Sequence, residues 1–252
     1  MRDINKYVQE HMHGETADFE RTQEKYRLRK LIELLNQCNR RSLLEVGCGP
    51  DSLACHVDGW SKYTLVEPSE RYLNHAKEII AEGDCKFING LFEESFDILS
   101  GEPYSVIVIS SILHEVEEPK KFLDTAIRLS TPDTTIILTV PNADSFHRVL
   151  AYESGLIKNV SELSQTNLRH QVHNVYNMEE LMTLVNEVAV ARNKQAVFLE
   201  RGSYFVKPFT HKQMTQCLNF GIFDEKILDG LNNMVKYMPD LGSEIYLTFR
   251  TY

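Results

Sequence analysis

The run Leu43-Leu44-Glu45-Val46-Gly47-Cys48-Gly49-Pro50-Asp51 constrains this chain more than any other segment. An apolar stretch from Ser42 to Val46 stops at two glycines one residue apart, which reads as a buried strand ending in a tight bend. Glycine has no Cβ, so the backbone can turn sharply here and a ligand can come close to it. In open parallel sheets the ligand crevice lies beyond the carboxyl ends of the strands, where this bend falls.

The surrounding pattern supplies such a sheet. Short apolar runs predict strands over Tyr63 to Val66, Lys86 to Ile88, Tyr104 to Ser110 and Thr134 to Val140. The Tyr104 run is β-branched and apolar on both faces, as a central parallel strand requires. Helical spacing covers Phe19 to Cys38, Glu70 to Ala81 with Ser69 as its cap, and Pro119 to Leu129. Strands that alternate with helices make βαβ units, hence a doubly wound α/β fold with helices on both faces.

Beyond Pro141-Asn142 the pattern changes. Ala143 to Tyr176 is polar and irregular, helix plus loop, and too long for an ordinary connection. Helical Met178 to Val190, capped by Asn177, follows it. A strand over Ala196 to Val206, helices near His211 to Asn219 and Asp224 to Met238, and an alternating last strand over Glu244 to Arg250 complete the chain. With no repeat and no linker in sight, the expectation is one domain over 1–252. It divides into an N-terminal helical cap (1–40), a cofactor-binding half (41–142), a lid insertion (143–176) and a C-terminal part of the sheet with its helices (177–252).

Composition limits the partners. The 252 residues carry a formal net charge of −9 without a basic block, which argues against nucleic acid. No run approaches the ~20 apolar residues that span a bilayer, and 1–20 has no apolar signal core. The five cysteines, Cys38, Cys48, Cys55, Cys85 and Cys217, are odd in number and irregular in spacing. Reduced thiols in a cytoplasmic protein are expected from that, with no membrane contact, no metal site, and a homodimer kept open.

Two cofactor classes use a glycine bend of this kind. A dinucleotide fingerprint requires G-x-G-x-x-G with an acidic residue about 20 positions on. Gly47, Gly49 and Glu67 fit it, but Ser52 stands where the third glycine belongs, and Glu45 and Asp51 would set like charge against a pyrophosphate. S-adenosylmethionine, which carries an ammonium and a sulfonium, inverts that demand.

The pattern L-L-E-V-G-C-G, with Cys48 between its glycines, resembles the first motif of class I S-adenosylmethionine-dependent methyltransferases. Leu65-Val66-Glu67-Pro68-Ser69 looks like the second motif, which implies that Glu67 accepts both ribose hydroxyls, with Pro68 beside it. Asn89-Gly90-Leu91-Phe92-Glu93-Glu94 is similar to the third, which implies that Gly90, Leu91 and Phe92 hold the adenine. Tyr104 to Glu115, containing Ser110 and Ser111, looks like the fourth. The likeness runs over about 20–142. It implies a Rossmann-like seven-stranded sheet whose last strand is antiparallel, with S-adenosylmethionine as cofactor. Asp51 departs from the family's usual small residue; its position suits an N-cap of the next helix or a contact to the cofactor's ammonium.

Methyl transfer is an in-line displacement that mainly needs alignment, and a hydroxyl acceptor also needs a base. His114, four residues past the central strand, is the leading base, with Glu115 orienting it or binding a cationic substrate. His147, in an S-x-H-R run that resembles a sugar and natural-product branch of the family, is the second candidate. Arg148, Tyr152, His170 and His173 in the insertion are candidate substrate contacts. His11 and His13 receive no role, Trp60 is expected to pack, and Lys207-Pro208 has no sequence explanation. The expectation is a small-molecule methyltransferase acting on a hydroxyl in preference to an amine. The alternatives are a cofactor-binding protein without transfer activity and a nicotinamide-dependent oxidoreductase.

Overall fold

A computed structural model describes residues 4, 17–80, 83–163, 167–168 and 171–252. His170, His11 and His13 lie outside the described residues. Seven strands form one sheet in the order β3-β2-β1-β4-β5-β7-β6. They are β1 (Ser42–Val46), β2 (Lys62–Glu67), β3 (Asp84–Asn89), β4 (Val106–Ser110), β5 (Thr135–Pro141), β6 (Ala196–Tyr204) and β7 (Glu244–Thr251). The first five pair in parallel, while β7 runs antiparallel to both β5 and β6. This is the doubly wound, Rossmann-like architecture that the motifs imply.

The strand order reverses between β1 and β4, which opens a crevice at their carboxyl ends. Along β4 the side chains alternate between two cores. Ile107 and Ile109 join one core with α4 (Pro119–Leu129) and α6 (Met178–Ala191), through Phe122, Leu123, Leu181 and Val185. Val106 and Val108 join the other with α1 (Ala17–Leu35) and α2 (Glu70–Ile79), through Tyr26, Leu34, Tyr72 and Leu73. Burial on both faces is why these strands are apolar throughout instead of alternating.

Helix ends follow the capping chemistry. Ser69 accepts the Tyr72 N–H and starts α2. Asn177 and Glu180 form a reciprocal box that starts α6. Thr210 and Gln213 do the same for α7 (His211–Asn219), and Asp224 caps α8 (Glu225–Asn233). The remaining helices are α3 (Phe96–Leu99) and α5 (Phe146–Glu153), the latter opening the insertion.

Two expectations are corrected. Asp51 does not cap a following helix: one 3-10 turn, Leu53–Cys55, stands there, and Ser52 accepts the Ala54 N–H in its place. The Asp51 carboxylate instead meets His56 Nε2 at 2.7 Å. The last strand does not alternate. Six successive residues from Glu244 to Phe249 are buried, because β7 lies inside the sheet and the alternating pattern belongs to its edge neighbour β6. Trp60 packs on Tyr63, ring centroids 5.2 Å apart, as expected.

Among the described residues no helix is long and apolar enough to cross a membrane, and no cluster of side chains is arranged to hold a metal ion. All five cysteines are free.

Candidate functional site

A cavity of about 670 Å³ occupies the crevice between the ends of β1 and β4. Its floor is the bend from Glu45 through Gly47, Cys48 and Gly49 to Asp51. Gly47 has φ +70°, and a Cβ there would lie 2.3 Å from Ile112 Cδ1. Gly49 has φ +56°, and a Cβ there would meet no atom of the described residues within 4 Å. The two glycines therefore serve differently: the first lets the bend close against the β4 loop, and the second leaves free volume beside the chain.

Two buried acids organise this floor. Glu45 Oε1 accepts the Leu53 N–H at 2.9 Å, and its Oε2 accepts the hydroxyls of Ser52 and Tyr63 at 2.6 and 2.5 Å. Burial outweighs these bonds and pushes its carboxyl up to about 7. Glu67, 5% exposed at the end of β2, accepts the Cys48 N–H on Oε2 and the Ser69 N–H on Oε1. The sheet end and the bend are thus tied together through one carboxylate.

Pro68, Leu91 and Phe92 form the wall beyond Glu67, and Ser110, Ser111 and Glu115 form the wall beyond β4. Ser111 has φ +53°, a left-handed conformation uncommon for serine. Its N–H is held by both the carbonyl and the hydroxyl oxygen of Thr139, each at 3.0 Å. A locked, strained residue at a cavity wall is a frequent mark of a functional site.

The roof comes from α1, which sequence reasoning identified as a cap but did not resolve by residue. Arg21, Glu24, Lys25, Leu28 and Leu31 share one helical face and line the cavity. Their i, i+3, i+4, i+7 spacing was the available signal; Leu28 and Leu31 satisfy a core reading equally well, so the polar members went unnoticed. Glu117, Glu118 and Lys121, at the start of α4, were also missed.

The roof is fixed from its far side. Arg27 binds Glu244 through two nitrogens, with Nη2–Oε1 at 2.5 Å and Nε–Oε2 at 2.9 Å. Gln23 adds a bond of 2.7 Å to the same carboxylate, and the Tyr204 hydroxyl donates to it as well. Burial alone would raise the Glu244 carboxyl, but Arg27 and these donors hold it below the ordinary range. Lys207, unexplained by sequence, belongs to this anchorage. It is 3% exposed, with Nζ 3.1 Å from His211 Nδ1 and above the Phe19 ring of α1, and burial lowers its pKa to about 8.

Several expected site residues stand outside the cavity wall. His114 is 7% exposed, with Nε2 3.6 Å from Glu115 Oε1, and its carbonyl accepts the N–H groups of His173 and Asn174. Gly90 donates its N–H to the Glu67 carbonyl. His147 has a buried Nδ1 without a hydrogen-bond partner among the described residues; burial, then Lys207, His211 and Arg148, holds its pKa well below the ordinary histidine value. Arg148 donates to the carbonyls of Val160 and Glu162 and braces the insertion, while Tyr152 is 47% exposed on its surface.

A family model described as a methyltransferase domain matches residues 19–188, from the α1 roof through α6. The chain belongs to that methyltransferase family. Solved structures share the fold. The plantazolicin methyltransferase BamL, in complex with a triazolic desmethylPZN analog and SAH, is 16% identical over 97% of this chain and 95% of its own, with a TM-score of 0.59. The N-methyltransferase NodS from Bradyrhizobium japonicum, with S-adenosyl-L-homocysteine, is 12% identical over 93% and 87%, with a TM-score of 0.52. A SAM-dependent methyltransferase from Thermotoga maritima, described as a possible histamine N-methyltransferase, is 16% identical over 96% and 98%, with a TM-score of 0.58. No curated protein matches the sequence.

The cofactor of this methyltransferase is S-adenosylmethionine, and the residues present fit it. The space beside Gly49 is volume that any side chain would fill. Nine carboxylates and four cations occur among the described wall residues, an excess suited to a positively charged ligand and adverse to a pyrophosphate.

Proposed function

We propose that this methyltransferase transfers the methyl group of S-adenosylmethionine to an amine nitrogen of a small molecule. Glu67 would hold the cofactor's ribose, Leu91 and Phe92 its adenine, and the Gly47–Gly49 bend with Glu45 and Asp51 its cationic methionine part. Bound there, the cofactor supplies an electrophilic methyl group on a good leaving group.

One observation carries the preference for nitrogen. The wall that an acceptor would share presents Glu115, Glu117 and Glu118, while neither His114 nor His147 is among the described residues that line it. A hydroxyl requires a positioned base at the reacting atom. An amine requires only to be drawn in, oriented and left neutral, and carboxylates serve the first two needs by accepting its N–H bonds. On this reading Glu115 is the acceptor-orienting group, and His114, in contact with it, is a positioning residue. The insertion, braced by Arg148 and tied to the His114 carbonyl, screens the reaction from water.

The test is product analysis by mass spectrometry over matched amine and alcohol acceptors, with the wild type, Glu115→Gln and His114→Gln. A methylated amine, a KM raised at least tenfold in Glu115→Gln, and turnover within tenfold of wild type in His114→Gln support the reading. A methylated hydroxyl whose turnover falls 10²- to 10⁴-fold in His114→Gln points to histidine base catalysis on oxygen instead.

A further inference from the structure

Four titratable side chains meet behind the roof, none of them among the described residues that line the cavity. They are Glu20 of α1, His147 of α5, Lys207 after β6, and His211, the first residue of α7. His211 stands at the centre. Its Nδ1 is 3.1 Å from Lys207 Nζ, and its Nε2 is 3.1 Å from Glu20 Oε2, within reach but short of the alignment of a hydrogen bond. Glu20 is shared with Arg27 at 3.2 Å, and Arg27 is paired in turn with Glu244. From α5, His147 senses the charge of Lys207, His211 and Arg148.

These neighbours fix the protons of the His211 ring. An ammonium only donates, so Lys207 requires Nδ1 to accept; a carboxylate only accepts, so Glu20 calls for the ring's one N–H on Nε2. The neutral imidazole meets both demands. A second ring proton would set an N–H against the ammonium at 3.1 Å. Passing a proton from Lys207 to the ring changes nothing in the count, because the pair still carries one positive charge. The first residue of a helix also sits in the partial positive charge of its N-terminus, which opposes an imidazolium. Burial, then Lys207, lowers the pKa of His211, against the pull of Glu20 and Glu244.

The same cluster grips the first turn of α1. Phe19, 0% exposed, packs on Phe205, stands edge-on to the His211 ring with centroids 5.2 Å apart, and lies under Lys207 Nζ. Later turns are fastened elsewhere, Arg27 to Glu244 and Tyr26 and Arg29 to Asp229. Ile4 on one side of this first turn and Arg21 on the other both line the cavity.

We propose that the cluster of Lys207, His211 and Glu20 is a proton-operated latch on the first turn of the roof, closed while His211 is neutral and released when its ring takes a second proton, so that acid speeds the exchange of ligand through the cavity. The latch rests on the cofactor occupying that cavity and is indifferent to whether the acceptor is an amine or an alcohol. In the released turn His211 titrates near its ordinary value of about 6.5, above its value in the closed turn. The hold is therefore complete above about pH 6.5 and is lost as pH falls through the lowered value. One proton limits the change to about tenfold per pH unit.

The test is hydrogen–deuterium exchange of the ligand-free full chain at pH 7.5 and 5.5, corrected for the intrinsic pH dependence of amide exchange. In a helix the amides of 21–24 bond to the carbonyls of 17–20, so they report the first turn of α1, and those of 28–35 serve as the control. We expect protection at 21–24 to fall about three- to tenfold at the lower pH, with less than twofold change at 28–35. His211→Gln, which keeps a neutral donor near the place of Nε2, should remove the response. Lys207→Met, of similar length and without the opposing ammonium, should shrink it by at least half. Release of SAH in stopped flow should quicken by a similar factor in Glu45→Gln, where the cavity floor no longer titrates, with association quickening in proportion. The proposal is overturned if 21–24 is equally protected at both pH values, if 28–35 loses as much, if His211→Gln keeps the wild-type response, or if SAH exchange is indifferent to pH. An NMR titration of His211 in the wild type needs no variant, and a value at or above 6.5 would also overturn it. Failure of SAH to bind at all would refute the cofactor assignment and the gating of its exchange, whereas loss of the protection response with SAH still bound would sink the latch alone.

Discussion

The Glu67 carboxylate accepts the Cys48 backbone N–H through Oε2 at 3.1 Å, across the gap between the ends of β2 and β1. Its other oxygen takes the Ser69 N–H at 2.8 Å. Both partners are donors, so an amide in its place sets its NH₂ group against one N–H in either orientation and gives up a bond. We expect Glu67→Gln to cost about 1–3 kcal/mol of stability in urea titrations. SAH affinity should fall at least tenfold, since the same side chain shapes the bend and, on the proposed reading, holds the ribose.

The two glycines of the bend provide a paired comparison. Both have positive φ, so alanine at either costs about 1 kcal/mol in backbone strain. Only Gly47→Ala also drives a Cβ to 2.3 Å from Ile112 Cδ1. Thermal unfolding should show a clearly larger loss for Gly47→Ala than for Gly49→Ala. Gly49→Ala should keep its stability within about 1–2 kcal/mol yet lose SAH affinity. Equal losses of stability would contradict this division of roles.

Glu45 gives the site a pH signature. Its folded pKa of about 7 lies above its unfolded value, so the ligand-free protein binds more protons than the unfolded chain between about pH 4.5 and 7. Stability from this group is therefore present below that window and is lost as pH rises through it, by an amount on the order of 3 kcal/mol at most. The ammonium of a ligand bound beside it favours the carboxylate and draws its pKa down. Calorimetry of SAH near pH 6.5, in buffers of different ionisation enthalpy, should register proton release. Affinity should rise with pH up to about 7, and Glu45→Gln should abolish both effects.

The roof anchorage gives a stability expectation. Glu244 is 0% exposed and holds Arg27 through two nitrogens. Glu244→Gln strips that guanidinium of its buried counter-charge and leaves it the partly exposed Glu20 at 3.2 Å, at a cost of about 3 kcal/mol. The depressed carboxyl of Glu244 also means that its contribution is present above the ordinary carboxylate range and is lost as pH falls through the folded value. Acid unfolding should therefore shift upward in pH on substitution, and α1 amides should exchange faster with deuterium.

How far the residues announce this structure varies with the kind of signal. β1, α4 and α7 fall within the bounds that periodicity and caps imply, because local pattern and tertiary burial agree there. The cavity floor was legible because its members cluster in short motifs at strand ends. The roof was not. Arg21 and Glu24 look like any solvated helix face until the Arg27–Glu244 pair, residues 217 apart in sequence, turns that face onto the cavity. Lys207 was opaque for the same reason: its meaning lies in contact with His211 and Phe19. His114 and His147 carry the opposite difficulty: residue type suggests catalysis, and only the fold shows that neither is among the described residues that line the cavity.

Calorimetric titration of the full chain with SAH, followed by displacement with S-adenosylmethionine and with reduced nicotinamide dinucleotide, bears most directly on the site. The cavity described above should bind one SAH per chain, exchange it for S-adenosylmethionine, and take up no nicotinamide cofactor. Absence of heat with both adenosyl compounds, or a nicotinamide cofactor that competes with SAH, would contradict it.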